Sequence, residues 1–270
     1  MMARQRLGQH FLTDAGWREK IARAIGASPH SALRAIPQEH FCWIEVGAGH
    51  GEMTRHLAAS GAPVYAIELD AALAQRLKTL AQEFPNVSVV SADILATDLA
   101  SLAGGHRIRL YGNLPYYITS PILHHFFESA SLIDEIHVVI QLEVAFRLAA
   151  RPGTRDYGYL SVLSQYFASP RIALKLPPGA FRPPPKVSSA LVSMKLPGES
   201  ARLQIADARQ FLDFAKLCFS RKRKTLVNNL RSIAEPDEVR AALESLDLQA
   251  GARAEELSVA QLAALRKSLP

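Results

Sequence analysis

The chain has 270 residues, a formal net charge of +6 and a pI near 9.4. Its 49% hydrophobic and 21% charged residues exclude a largely disordered chain, and its length provides for one sizeable α/β domain with a small appendage. The two cysteines, Cys42 and Cys218, exclude a disulfide framework, and the absence of zinc-type Cys/His spacing predicts no metal site. No run of about 18 apolar residues predicts a membrane span. Met1 to Leu12 is basic and polar, without the apolar stretch of a secretory signal, so the expected location is the cytoplasm.

In chain order, short β-rich runs alternate with helical patterns. Phe41–Val46, Val64–Glu68, Val87–Ser91, 108–112 and 136–141 read as strands. Between them lie helical stretches such as 71–83, with Leu73, Leu77 and Leu80 at helical spacing. Such alternation predicts a parallel, doubly wound sheet. Two more strands are expected at 172–176 and 187–196, joined by the proline-rich stretch 177–185, which should be stiff and extended. The expected fold is therefore α/β, a Rossmann-like seven-stranded sheet. Residues 197–200 read as a linker. Beyond it helices are expected at 207–219, 222–232, 236–246 and 259–268, giving a small all-α domain. The domain boundary is placed between residues 199 and 200.

Glu45-Val46-Gly47-Ala48-Gly49-His50-Gly51 follows the first strand and opens a helix. Glycines there permit a tight turn and a close approach of backbone to a ligand. Glu68 ends the second strand, where a carboxylate can accept hydrogen bonds from ribose hydroxyls. NAD-binding and S-adenosylmethionine-binding folds share this arrangement. Asp93, after the third strand, either accepts from an adenine amino group or caps a local turn.

Asn113-Leu114-Pro115-Tyr116 follows the fourth strand, at the carboxyl end of the sheet where ligands bind. An aromatic amine is a poor nucleophile because its lone pair is delocalised into the ring. The Asn113 amide oxygen and a main-chain carbonyl, that of Leu114, can accept from its two N–H groups and so favour a pyramidal nitrogen. Tyr116 can stack on the base, as in other extruded-base sites. This chemistry selects S-adenosylmethionine over NAD. Positioning and preorganisation would supply most of the catalysis.

These motifs bring a resemblance. Gly8-Gln9-His10-Phe11-Leu12, Glu45–Gly51, Asn113–Leu123, Phe181–Val192 and Phe219–Leu230 together resemble the bacterial small-subunit ribosomal RNA adenine dimethyltransferases (the KsgA, or RsmA, type), over nearly the whole chain. The resemblance implies dimethylation of two adjacent adenosines near the 3′ end of 16S rRNA, in the 30S subunit or its precursor, with a role in small-subunit biogenesis. It implies an N-terminal segment that closes over the cofactor, bringing His10 and Leu12 to it. His10 stands where that family often has Asn, and Ala48 replaces a frequent Pro. Gly47, Gly49, Glu68, Asp93 and Asn113 would contact the cofactor, and Phe181 would stack on the target base opposite Tyr116. A monomer is expected.

Between Arg202 and Arg231 there are eight Lys/Arg against two Asp. Arg221-Lys222-Arg223-Lys224, expected at the start of a helix and followed by Asn228 and Asn229, suits phosphate contacts. Arg4 and Arg6 are further candidates. A 23S rRNA dimethyltransferase, a DNA adenine methyltransferase, a non-catalytic assembly factor and an NAD oxidoreductase are the alternatives. The basic motif and Asn113–Leu123 favour the small-subunit enzyme over its large-subunit relative. No target-recognition region of a DNA enzyme is evident. Intact Asn113, Glu68 and glycine loop speak against loss of catalysis. An oxidoreductase would leave Asn113–Tyr116 and the basic cluster unexplained.

Overall fold

The computed structural model describes residues 9–27 and 41–270; Arg4, Arg6 and Gly8 lie outside the described residues. The chain divides into two compact units, one of residues 1–145 and 171–196 and the other of residues 146–170 and 197–270. A single cut after residue 199 therefore separates 146–170 and 197–199 from the rest of their unit. Tyr157, Val162 and Tyr166 from the longer stretch bury their side chains with Phe211, Leu226 and Leu262, so the segment belongs to the helical unit.

The first unit begins with strand β1 (Phe11–Leu12) and helix α1 (Ala15–Ala24). There follow β2 (Phe41–Val46), α2 (Glu52–Ala58), β3 (Val64–Glu68), α3 (Ala71–Ala81), β4 (Val87–Ser91), α4 (Leu99–Ala103), β5 (Arg107–Asn113), α5 (Thr119–Glu128) and β6 (Ile133–Gln141). The chain leaves the first unit along α6 (Leu142–Ala149), forms α7 (Tyr159–Phe167) within the second, and returns with β7 (Ser169–Leu176), β8 (Phe181–Arg182) and β9 (Ser189–Lys195). The main sheet has seven strands in the order β4-β3-β2-β5-β6-β9-β7. Its first five strands are parallel, and β9 runs antiparallel to β6. All six residues of β2 are buried, as a central strand covered on both faces requires. β1 and β8 form a separate antiparallel ribbon, Phe11 opposite Arg182 and Leu12 opposite Phe181.

The five parallel strands and the β7–β9 region lie where the sequence pattern puts them. The stretch 177–185 is not uniformly extended. Residues 178–180 make a 3₁₀ turn with proline at its start, β8 follows, and the Arg182–Pro183 peptide is cis.

The second unit adds α8 (Ser200–Leu203), α9 (Ala208–Cys218), α10 (Leu226–Asn229), α11 (Pro236–Glu244) and α12 (Val259–Lys267). Here the expected helix at 222–232 contracts to the four residues of α10. Asn229 is the reason: its amide donates to the carbonyls of Cys218 (2.6 Å) and Arg221 (3.3 Å), so a side chain satisfies the end of α9 and turns the chain.

Candidate methyl-transfer cleft

The cleft opens at the carboxyl ends of β2, β3 and β5 and encloses about 840 Å³, its open mouth included. Gly47, Glu68, Asp93, Asn113, Leu114 and Tyr116 all line it, together with His10. Residues scattered over more than 100 positions of sequence thus meet at one edge of the sheet, as an open α/β topology allows.

The glycine loop turns with Gly47 and Gly49 at φ +69° and +59°, a region that side chains disfavour. A Cβ on Gly49 would also come within 3.1 Å of the Phe11 ring. The Phe11 ring lies 4.8 Å from that of His50 with the planes tilted by 46°, so Phe11 rests on this loop. Gly49 itself does not line the cleft; its N–H donates to Glu68 Oε2 at 2.8 Å.

Glu68 is 3% exposed, and its other oxygen accepts from the Asp70 N–H at 2.9 Å. Each carboxylate oxygen keeps a second lone-pair direction, which is what a ribose hydroxyl needs. Asp93 uses Oδ1 to cap the 3₁₀ turn at 94–96, accepting from Leu95 N–H at 3.0 Å. It caps that turn and faces the cleft at once. Between the two acids the wall is apolar, from Ile67, Leu69 and Ile94. A purine pressed against an apolar wall, with acceptors for its amine and ribose, fits such a donor and acceptor set.

Glu45, one strand end away, is 2% exposed and accepts from Thr54 Oγ1 at 2.5 Å. Burial pushes its carboxyl up to about 8, the Thr54 bond acts in the opposite direction, and Glu52 and Glu68 add to the rise.

At the reactive end, Asn113 closes β5. Its Nδ2 donates to the His10 carbonyl at 2.8 Å. The Leu114 N–H is held by the Val139 carbonyl at 3.0 Å, and the Pro115 carbonyl is occupied by Ile118 N–H and Thr119 Oγ1, each at 3.2 Å. Among the described residues nothing donates to Asn113 Oδ1 or to the Leu114 carbonyl. These are the two acceptors that an amine needs. Gly112 makes the bend possible, because a Cβ there would meet Leu114 at 2.7 Å and Val46 at 3.2 Å. The Tyr116 hydroxyl shares a 2.7 Å hydrogen bond with Ser189 on β9. Burial raises the Tyr116 phenol, and the Ser189 bond partly offsets this. Ser189 is fully buried and lies within the Phe181–Val192 segment, but the sequence pattern assigns it no role of its own.

Two of the expected site residues have their side chains in the core. Leu12 does not line the cleft; it is 6% exposed and packs in the core beside Leu176 and Phe181. Strand alternation explains this: Phe11 faces the glycine loop, so Leu12 faces inward. Phe181 is 0% exposed in the same core, paired through β8 with Leu12, and presents no face on which a base could stack. The ring that does stand beside Tyr116 is that of His10, with centroids 5.7 Å apart and planes tilted by 32°.

In the helical unit, Arg221, Lys222, Arg223 and Lys224 are exposed, but on a turn between α9 and α10 rather than at the start of a helix. Consecutive like charges disfavour a continued helix, and the Asn229 side chain holds the bend. Lys222 Nζ donates to the Arg155 carbonyl at 2.8 Å, tying the turn to the loop before α7. Among the described residues no group of three or more His, Cys, Asp or Glu could hold a metal. No helix among them is long and apolar enough to cross a membrane.

A relative named ribosomal RNA small subunit methyltransferase A, from Acidobacterium capsulatum, is 41% identical over 98% of this chain and 90% of its own. The protein of that name from Koribacter versatilis is 37% identical over 98% of this chain and 93% of its own. Among solved structures, a dimethyladenosine transferase from Plasmodium falciparum superposes with a TM-score of 0.78 at 22% identity, covering 96% of this chain and 98% of that one. The 23S rRNA methyltransferase ErmE superposes at 0.69 with 26% identity, covering 96% and 99%. The ribosomal RNA adenine dimethylase family profile matches residues 1–269, and the chain belongs to that family.

Proposed function

We propose that this chain uses S-adenosylmethionine to convert two adjacent adenosines near the 3′ end of 16S rRNA to N6,N6-dimethyladenosine, in the 30S subunit or its precursor. It acts as a cytoplasmic monomer during small-subunit biogenesis. The observation that carries the reading is a pair of acceptors, Asn113 Oδ1 and the Leu114 carbonyl, to which no described residue donates, in a cleft that Glu68 and Asp93 also line.

The cofactor would lie along the glycine loop, with Glu68 toward its ribose, Asp93 toward its base, and Gly47 and His10 beside it. When bound it supplies an electrophilic methyl on a sulfonium that leaves as a neutral thioether. Asn113 and Leu114 accept from the two N–H groups of the target amine and turn its lone pair toward that methyl. The amine's proton is shed during or after transfer, so no strong base is required beforehand. Tyr116, braced by Ser189, offers a face to the base. In the helical unit, Arg221, Lys222, Arg223 and Lys224 would meet RNA phosphates.

ErmE's likeness favours a 23S substrate as the second reading. The relatives named for the small subunit are more similar in sequence, at 37–41% identity, and favour 16S. Incubation with labelled S-adenosylmethionine and immature 30S subunits, followed by mapping of the label, tests the proposal. Label on two neighbouring 16S adenines is expected. Label on 23S RNA, on DNA or on no adenine overturns it.

A further inference from the structure

His10 reaches the reactive end with two different groups. Its main-chain carbonyl accepts from Asn113 Nδ2 at 2.8 Å. Its ring Nδ1 lies 2.7 Å from the Pro183 carbonyl. A carbonyl only accepts, so Nδ1 carries the hydrogen and donates. The next residue, Phe11, is registered opposite Arg182 in the β1–β8 ribbon. Residue 10 is thus held by a strand pairing on one side and by its own ring on the other.

The consequence falls on the Asn113 amide. The torsion that rotates a terminal amide is broad and roughly two-fold, so an unheld asparagine can present either its NH₂ or its oxygen to a ligand. Only the oxygen can accept from an amine. Because the His10 carbonyl takes the Nδ2 hydrogen, the amide oxygen is directed away from His10 and left free. The ring's bond to Pro183 fixes the carbonyl that does this.

We infer that His10 is a positioning residue for methyl transfer: its Nδ1–H···Pro183 bond holds the main-chain carbonyl that locks Asn113 with its oxygen toward the substrate amine. The inference rests on the reading of Asn113 as acceptor for that amine. It makes the donor at the Nδ1 position, not the aromatic ring, the essential part of the side chain.

Three substitutions separate these parts. An asparagine side chain carries an N–H the same number of bonds from Cα as histidine Nδ1, so His10→Asn keeps the donor without the ring. His10→Phe keeps a ring without the donor, and His10→Ala removes both. Turnover is measured at saturating S-adenosylmethionine and saturating immature 30S subunits, beside Asn113→Ala. His10→Ala and His10→Phe should each lower kcat about tenfold or more, since small displacements of aligned groups cost up to ~10²-fold. His10→Asn should recover kcat to within about threefold of the parent. Unchanged kcat in His10→Ala, with Asn113→Ala inactive, overturns the inference and leaves the Asn113 reading standing. A His10→Asn variant as slow as His10→Ala overturns it too, because the ring would then be what matters. An active Asn113→Ala removes the acceptor reading and the inference with it.

Discussion

In the cleft, Asn113, Tyr116 and Glu68 are each tied to a residue remote in sequence, through His10, Ser189 and Gly49. In the basic turn, by contrast, Arg221, Arg223 and Lys224 extend exposed side chains from a bend of a few residues. The first region directs individual lone pairs, and its bonds work because burial and long-range packing hold them still. The second supplies charge, which acts over a Debye length of about 8–10 Å and tolerates mobile side chains. Geometry in one place and charge in the other should therefore fail in different ways when altered.

The largest effect is expected at Asn113. Asn113→Ala removes one of two preorganised hydrogen-bonding groups and should lower kcat by on the order of 10²–10³-fold. Thermal unfolding should be nearly unchanged, because the side chain is only part-buried. A loss of kcat matched by a large fall in Tm would mean that Asn113 is structural.

Phe181 comes next and tests where the cleft ends and the core begins. Phe181→Ala should destabilise the fold by about 3–5 kcal/mol, read by chemical denaturation. Phe181→Leu should cost less than Phe181→Ala, because it removes fewer buried atoms, and keep kcat/KM. Loss of activity in a stably folded Phe181→Leu variant would return this ring to the base site.

The basic turn should respond in affinity and leave turnover at saturation alone. Arg221→Ala, Arg223→Ala and Lys224→Ala combined should weaken RNA binding and make the slope of log affinity against log salt shallower by about 2–3. Lys222→Ala adds a second effect, since it also unties the Arg155 carbonyl. An unchanged salt slope in the triple variant would show that phosphates are met elsewhere.

The smallest effect is a pH dependence of stability. Folded Glu45 holds its proton up to a pH of about 8, whereas an unfolded glutamate loses it near ~4.3. Between those values the folded chain binds the extra proton, so this residue lowers stability progressively as pH rises through that window. Glu45→Gln should accordingly raise Tm at pH 8.5 by a few degrees, about 2–4 °C per kcal/mol recovered, and leave it nearly unchanged at pH 4. An equal shift at both pH values would mean that folded Glu45 titrates as an unfolded glutamate does.

Much of the first unit was legible in the sequence because its signals are local. Apolar runs ending in glycine or acid marked β2 and β3 to the residue. Asn113–Tyr116 announced itself by composition. The misreadings share a cause, which is that the deciding contact was distant. Leu12 and Phe181 look like site residues until they are found paired across more than 160 positions. The helix expected at 222–232 has a sound helical pattern, and it is the Asn229 amide, bonded back to Cys218, that cuts it to four residues. The partners of Ser189 and of the His10 carbonyl could not be read, because Tyr116 and Asn113 stand 73 and 103 positions away from them.

Glu68 has a consequence beyond its own place in the cleft. One carboxylate joins the glycine loop, through Gly49, to the start of α3, through Asp70, while facing the cleft. Ligand preference and loop shape are therefore not independently variable characters. A carboxamide at this position offers a single acceptor atom and would orphan one of the two main-chain donors. Any sequence drift that replaced this carboxylate would have to be accompanied by a change in the turn it supports, so the residue and the loop's shape should be inherited together.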